Sequence, residues 1–315
     1  MNWYWSLDDK TRFTVSVITV YSFTFIYSLF MEFIKRNGYF LDRQLQQPRD
    51  EPEESLVRAC LIKNLRNHYI LVPLGVYYIL YDAFLYMGMK MDHNSWLNLD
   101  WKTFLRDITV SAAVNDTGFY WSHRALHIPV LYKAIHKQHH QFKQPIAMAS
   151  EWAHPLEDLF GNIGPTLLGP LLMGSHLYTI LIWVVLRLWK TLDAHCGYSL
   201  PFPLSIWHGL PGLLGSDMHD FHHESKEGME GCFGAMFTFW DYVCGTDKVF
   251  YDVKKKNATQ SKAEATPSKA QASPKSTKEK KASSSSSSSS PKESSKKPKS
   301  TSPRARTRSS SRKRK

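Results

Sequence analysis

Nine of the 14 histidines in this 315-residue chain fall into a spaced pattern between residues 123 and 223. His123 and His127 form H-x3-H, a spacing that puts both imidazoles on one face of a helix, about one turn apart. His136, His139 and His140 form H-x2-H-H, His219, His222 and His223 repeat it, and His195 stands between the two. Clustered imidazoles would repel one another if protonated and compete for partners if neutral; metal coordination resolves both problems. One ion takes about four to six ligands, so this set predicts two ions. Imidazole suits zinc, copper, iron and nickel alike. The H-E-x-x-H arrangement of zinc metalloproteases is absent. Attack of O2 on an unactivated C–H bond needs metals that change valence, so a redox-active pair is the expected occupant.

The segments that must position these rings are apolar. Phe13 to Met31 is a 19-residue run without charge, close to the roughly 20 residues a helix needs to cross a bilayer. Tyr69 to Met89 is a second such run, interrupted by Asp82, and Phe104 to Trp121 a third, containing Asp107 and Asp116. Ionisable groups at that depth are expected to face the bundle interior. Leu159 to Leu186 is apolar but broken by Gly161, Gly164, Pro165, Gly169, Pro170 and Gly174, which predicts a helical hairpin that dips into the membrane and returns. Basic residues orient the whole. Segment 34–68 holds Lys35, Arg36, Arg43, Arg49, Arg58, Lys63 and Arg66; segment 90–103 holds only Lys90 and Lys102. The first loop is then cytosolic, the second and the N-terminus lumenal, and the third helix delivers His123 to the cytosol. The expected fold is an all-α integral membrane protein with about three spanning helices, a membrane helical hairpin and a cytosolic histidine-rich helical cap.

The net charge of +12 misleads about the body. From Lys254 onward 20 Lys or Arg face three Glu, leaving residues 1–253 mildly acidic. Residues 257–315 are rich in Lys, Ser, Pro and Thr, with eight consecutive serines at Ser283 to Ser290, and cannot bury enough apolar surface to order themselves. This basic tail is expected to be disordered and to favour anionic lipid over nucleic acid. The four cysteines form no C-x-x-C pair, as suits reduced thiols. The first apolar run is too long for a signal peptide and reads as a retained anchor.

The stretches S-H-R-A-L-H at 122–127, H-K-Q-H-H at 136–140, H-C-G-Y at 195–198, H-D-F-H-H at 219–223 and W-D-Y-V-C-G-T-D at 240–247 resemble the fatty acid hydroxylase / sterol desaturase superfamily. S-E-W-A-H-P-L-E at 150–157 and M-G-S-H-L at 173–177 are most similar to C-4 methylsterol oxidases and the related fatty acid hydroxylase domain-containing proteins. The resemblance implies a di-iron monooxygenase of the endoplasmic reticulum membrane that uses O2 and electrons from NAD(P)H by way of cytochrome b5 and its reductase. It implies as metal ligands His123, His127, His136, His139, His140, His195, His219, His222 and His223. His154 is a tenth candidate, equally suited to capping the following helix. Asp116, Asp220 and Asp241 are candidates to orient the ligand rings from behind, as is Asp247. His176 and His208 are expected not to bind metal, and His68 and His93 to lie at the membrane interface. The expected division is 1–103 for N-terminal helices and loops, 104–256 for the catalytic domain and 257–315 for the tail.

The implied reaction is oxidation of a sterol C-4 methyl group. Sterol side-chain hydroxylation, fatty-acyl hydroxylation and squalene epoxidation could use the same histidine frame. A metal transporter would place its histidines within the spans, whereas these gather past the helix ends. Neither an H-P-G-G haem motif nor a G-x-G-x-x-G is present, so electrons are expected from a separate cytochrome b5, with Lys133, Lys137 and Lys143 as its docking face. The hairpin and the third helix are expected to enclose the apolar substrate slot.

Overall fold

The computed structural model describes residues 3–46, 51–91, 100–208 and 211–265. All lie in one compact unit, Met1–Ala265. Among them there are helices and isolated bridges but no strands. The serine-rich and basic tail beyond 265, Arg49 and His93 fall outside the described residues.

α1 (Asp9–Arg36) starts where Asp8 accepts a hydrogen bond from Thr11 N at 3.0 Å, and ends on Lys35 and Arg36, which suit the negative end of the helix dipole. α2 (Glu54–Tyr86) begins well before its apolar run. Two π-helical stretches, Asn67–Leu71 and Val76–Leu80, flank Pro73, whose ring removes a helix donor and displaces the preceding turn. Both helices are long and apolar enough to cross a membrane. α3 (Trp101–Leu126) buries a polar stripe of Asp107, Ser111, Asn115, Asp116, Tyr120 and His123, which recurs every three to four residues apart from the adjacent Asn115 and Asp116. The interior placement expected of Asp107 and Asp116 is found, but Asp82 is exposed and pairs with Lys10 of α1 at 2.9 Å. Asp82 lies in the last turns of α2, beside the start of α1, where water can solvate the pair.

α4 (Pro129–Ala134) follows, and the hairpin is formed by α5 (155–173) and α6 (Leu177–His195). These helices outrun the apolar stretch at 159–186, so each arm is about 28 Å long at about 1.5 Å per residue. The turn rests on Gly174, at φ +55°, where a Cβ would stand 2.7 Å from the Met87 carbonyl oxygen. At Gly169 a Cβ would stand 2.5 Å from Ser111 Cα, so α5 presses against α3 as only glycine allows.

Successive helices alternate between two poles. At one, Asn64 Nδ2 of α2 donates to the Met148 carbonyl at 2.9 Å and Lys63 Nζ to the Glu151 carbonyl at 2.6 Å. At the other, Leu177 N donates to the Lys90 carbonyl at 3.0 Å and Ser175 Oγ to Asp107 at 2.9 Å. The histidines occupy the first pole, in a cap of two 3-10 helices (His136–Gln141 and Ala147–Glu151), α7 (Ser216–Glu224) and α8 (Phe239–Cys244). α9 (Lys248–Ala265) carries on past the boundary expected at 257, because N-A-T-Q-S-K-A-E-A is rich in good helix formers. None of the four cysteines is in a disulfide.

Candidate metal centre

α3 ends with His127 as its C-cap, because Ile128 is turned out of the helix by Pro129. The His123 and His127 rings therefore leave adjacent turns of one face, with centroids 5.1 Å apart. His195 is the last residue of α6. Each H-x2-H-H segment is short and helical, which turns its rings toward these three.

The nine imidazoles fall into two groups, each with ligand nitrogens within 4.8 Å of one another: His123, His127, His136, His140 and His222; and His139, His195, His219 and His223. The division cuts through both repeats. In one segment His136 and His140, four apart, face one group while His139 faces the other; in α7, His219 and His223 pair while His222 crosses over. Spacing alone does not reveal that exchange.

The hydrogen bonds fix which nitrogen faces inward. Nδ1 of His123 donates to the Phe233 carbonyl (2.9 Å), of His195 to Thr191 (2.7 Å), of His222 to Gly231 (2.7 Å) and of His223 to Phe142 (3.1 Å). His136 Nδ1 meets the Glu157 carboxylate at 2.9 Å. A neutral ring that donates through Nδ1 carries a lone pair on Nε2. Those nitrogens face other imidazoles: Nε2 of His123 and of His140 lie 3.2 and 3.1 Å from His136 Nε2, and His219 Nε2 lies 3.0 Å from His195 Nε2. Nε2 of His127, His222 and His223 is buried with no hydrogen-bond partner. Acceptors packed against acceptors need a cation between them, and the donor set fits two imidazole-bound metal ions.

Burial lowers the basicity of these rings, to about 2 for His127 and about 4 for His139 and His222, with neighbouring imidazoles adding to the effect at His127. Neutral rings are the form that binds metal. Burial likewise pushes the Glu157 carboxyl up to about 9. A cation beyond the His136 ring would oppose that shift and hold Glu157 ionised, as acceptor of Nδ1–H.

Three aspartates hold groups around the rings rather than the rings themselves. Asp241 accepts from Phe233 N and Gly234 N at 2.9 and 2.8 Å, fixing the carbonyl that holds His123. Asp116 accepts from Met236 N and Phe237 N at 3.2 and 3.1 Å, anchoring the same loop to α3. Asp220 accepts from Gln46 at 2.5 Å. His154 lies outside both groups: its Nδ1 accepts from Leu156 N at 3.2 Å and caps α5. His176 caps α6 in the same way, and His208 meets Ser199. Glu157 was not singled out from sequence; it sits 21 positions from His136, and no local spacing links them.

A cavity of about 460 Å³ opens beside the centre, within the size of small-molecule sites. Its walls are apolar, from Val17 of α1, Val72 and Val76 of α2, Leu167 of α5 and Ile180 and Val184 of α6. No residue of α3 lines it, so the slot lies between α1, α2 and the hairpin rather than between the hairpin and α3. The reason is the close α3–α5 contact at Gly169, which leaves no space there. The polar end of the cavity holds Lys63, His68, Glu151, Asp158 and Thr191. Thr191 carries the carbonyl that holds His195, and Glu151 precedes Trp152, whose carbonyl meets His139 Nδ1 at 3.3 Å.

The chain belongs to the fatty acid hydroxylase family, whose model matches residues 108–246. It is 36% identical over 237 residues to the very-long-chain aldehyde decarbonylase GL1-11 of Oryza sativa subsp. japonica, covering 75% of this chain and 84% of that one. It is 36% identical over 222 residues to methylsterol monooxygenase 2-2 of Arabidopsis thaliana, covering 70% and 80%. Methylsterol monooxygenase erg25B of Aspergillus fumigatus shares 44% over 149 residues, 46% of this chain and 49% of that one. No solved structure matches.

Proposed function

We propose that this chain is a di-iron monooxygenase that oxidises the C-4 methyl group of 4-methylsterols, with electrons from NAD(P)H delivered by a separate cytochrome b5 and its reductase. The observation that carries the reading is the pairing of two inward-facing imidazole groups with an apolar cavity whose polar end abuts the segments that hold them. The methylsterol monooxygenase relatives support the substrate class. Bound iron would supply the activation of O2. The chain's own residues do the rest. The carbonyls of Phe233, Thr191, Gly231 and Phe142 and the Glu157 carboxylate keep the rings in the Nε2-inward form. The apolar walls exclude water and align the lipid's long axis with the centre. Iron-loaded protein supplied with O2, NAD(P)H, cytochrome b5, its reductase and a 4,4-dimethylsterol should yield the C-4 hydroxymethyl sterol and then the acid. The rice relative favours a second substrate; exclusive conversion of a long-chain aldehyde would replace the sterol reading.

Gly75 gives a direct test of the cavity. It lines the space, and a Cβ there meets nothing within 4 Å. Gly75→Phe should fill the slot without disturbing the histidines. Turnover is expected to fall by about tenfold or more while metal content stays at the wild-type level; unchanged turnover would place the substrate elsewhere.

In this reading the protein is a multi-pass protein of the endoplasmic reticulum membrane, with the histidine pole and the tail in the cytosol. Protease added to sealed microsomes should then remove the tail, and complete protection would reverse the orientation.

A further inference from the structure

His68 stands apart from the metal set. It lies in the π-helical stretch of α2, lines the cavity, and its side chain is 1% exposed rather than at an interface as the sequence suggests. Its Nδ1 is 3.4 Å from Thr24 Oγ1, and that hydroxyl donates to the Tyr21 carbonyl at 2.6 Å, so it is left to accept from the ring. Nε2 is buried without a hydrogen bond; the Glu151 carboxylate is 3.5 Å away, close but not in hydrogen-bonding geometry. Glu151 also lines the cavity. Two polar groups thus meet 3.5 Å apart at the polar end of the slot, and His68 Nε2 is left without a hydrogen bond.

We infer that His68 and Glu151 form a recognition site for a hydroxyl group of the lipid substrate, adjacent to the carbon that is oxidised. A hydroxyl donates where an ether or a ketone cannot, and a carboxylate would be repelled by Glu151. This deepens, and rests on, the sterol reading, because it chooses between the two orientations of a sterol in the slot. The end carrying the 3-hydroxyl, beside C-4, faces the centre; a hydrocarbon side chain or squalene would leave His68 Nε2 buried and unanswered, which is costly. Nearby Lys63 donates to Asp158 at 2.9 Å and to the Glu151 carbonyl, which holds Glu151 in place.

The test measures binding rather than turnover. Full-length protein in detergent is titrated with a tritiated 4,4-dimethylsterol bearing a 3-hydroxyl, and with its 3-methyl ether and 3-ketone. A long-chain saturated primary alcohol and its methyl ether form a second pair. Wild type should bind the hydroxysterol about tenfold more tightly than the ether or the ketone. His68→Phe should erase that preference while its affinity for the ether, which reports an intact slot, is kept. Glu151→Gln, which exchanges an acceptor for a donor, should shift preference toward the ketone. If the hydroxyl preference and its dependence on His68 appear only in the long-chain pair, the recognition site stands and the sterol assignment fails. No preference in either pair, or a preference that survives both variants, overturns the inference.

Discussion

His222→Ala and His139→Ala should each lower the metal content of purified protein from about two ions per chain to about one, because each ring belongs to a different group. Oxidation should fall more than about a hundredfold in both, since even loss of an outer partner of a ligand commonly costs about 10- to 100-fold. Glu157→Gln is such an outer change, and should weaken metal binding within that range by softening the hold on His136. His154→Ala is the control. It removes a helix cap, worth about 1 kcal/mol of stability, and should leave both ions bound. Metal analysis of the four variants decides the matter; two ions retained in both His222→Ala and His139→Ala would refute the two-group centre.

Acid should unfold the metal-free protein well before it unfolds an ordinary helical bundle. Burial holds His139 and His222 at about 4, below the ordinary value of 6.5, so both stay neutral in the fold while the unfolded chain protonates them. Between about pH 6.5 and 4 the unfolded state therefore binds more protons, and stability falls as pH drops through that window. Each of these buried rings contributes on the order of 3 kcal/mol of loss by pH 4. Bound metal should delay the transition and then be released with it, since protons and metal compete for Nε2. Thermal unfolding with and without chelator from about pH 7.5 to about pH 5 measures this. A midpoint that stays flat across that range in the stripped protein would show that these rings are not held neutral by the fold.

The histidine pattern was legible because ligand spacing is a local property: four residues on a helix is one turn, and H-x2-H-H repeats itself. The partition of the rings was not: the 3-10 segment His136–Gln141 and the α-helix Ser216–Glu224 both set their first and last rings in one group and the middle ring in the other, and which group each joins depends on how the segments pack against His123, His127 and His195. Apolar runs located the hairpin, yet understated its arms, since Arg187, Lys190, Asp193 and His195 sit in α6 with their side chains buried. Hydropathy counts such residues as an end to the helix, whereas inside a bundle a buried polar group can find a partner: Arg187 Nε donates to Asn115 Oδ1 at 3.2 Å, and His195 Nδ1 to the Thr191 carbonyl at 2.7 Å. The slot was misplaced for a related reason. One contact, Gly169 against Ser111, decides which helices can close on each other, and a glycine in a sequence does not name its neighbour. His68 looked like a boundary residue because it adjoins an apolar run, and only the packing of α1 against α2 encloses it.

The crossing of His139 and His222 between groups makes the two sites one thermodynamic system. With an ion in each group, each short segment would be a strut pinned at both ends, so an ion that binds first would also set the rings awaiting the second. Whatever affinity the first lends the second is, by reciprocity, lent back in equal measure. An ion left alone after His139→Ala or His222→Ala is accordingly held by struts with one end loose, and a chelator will strip it at a lower concentration than the intact pair requires.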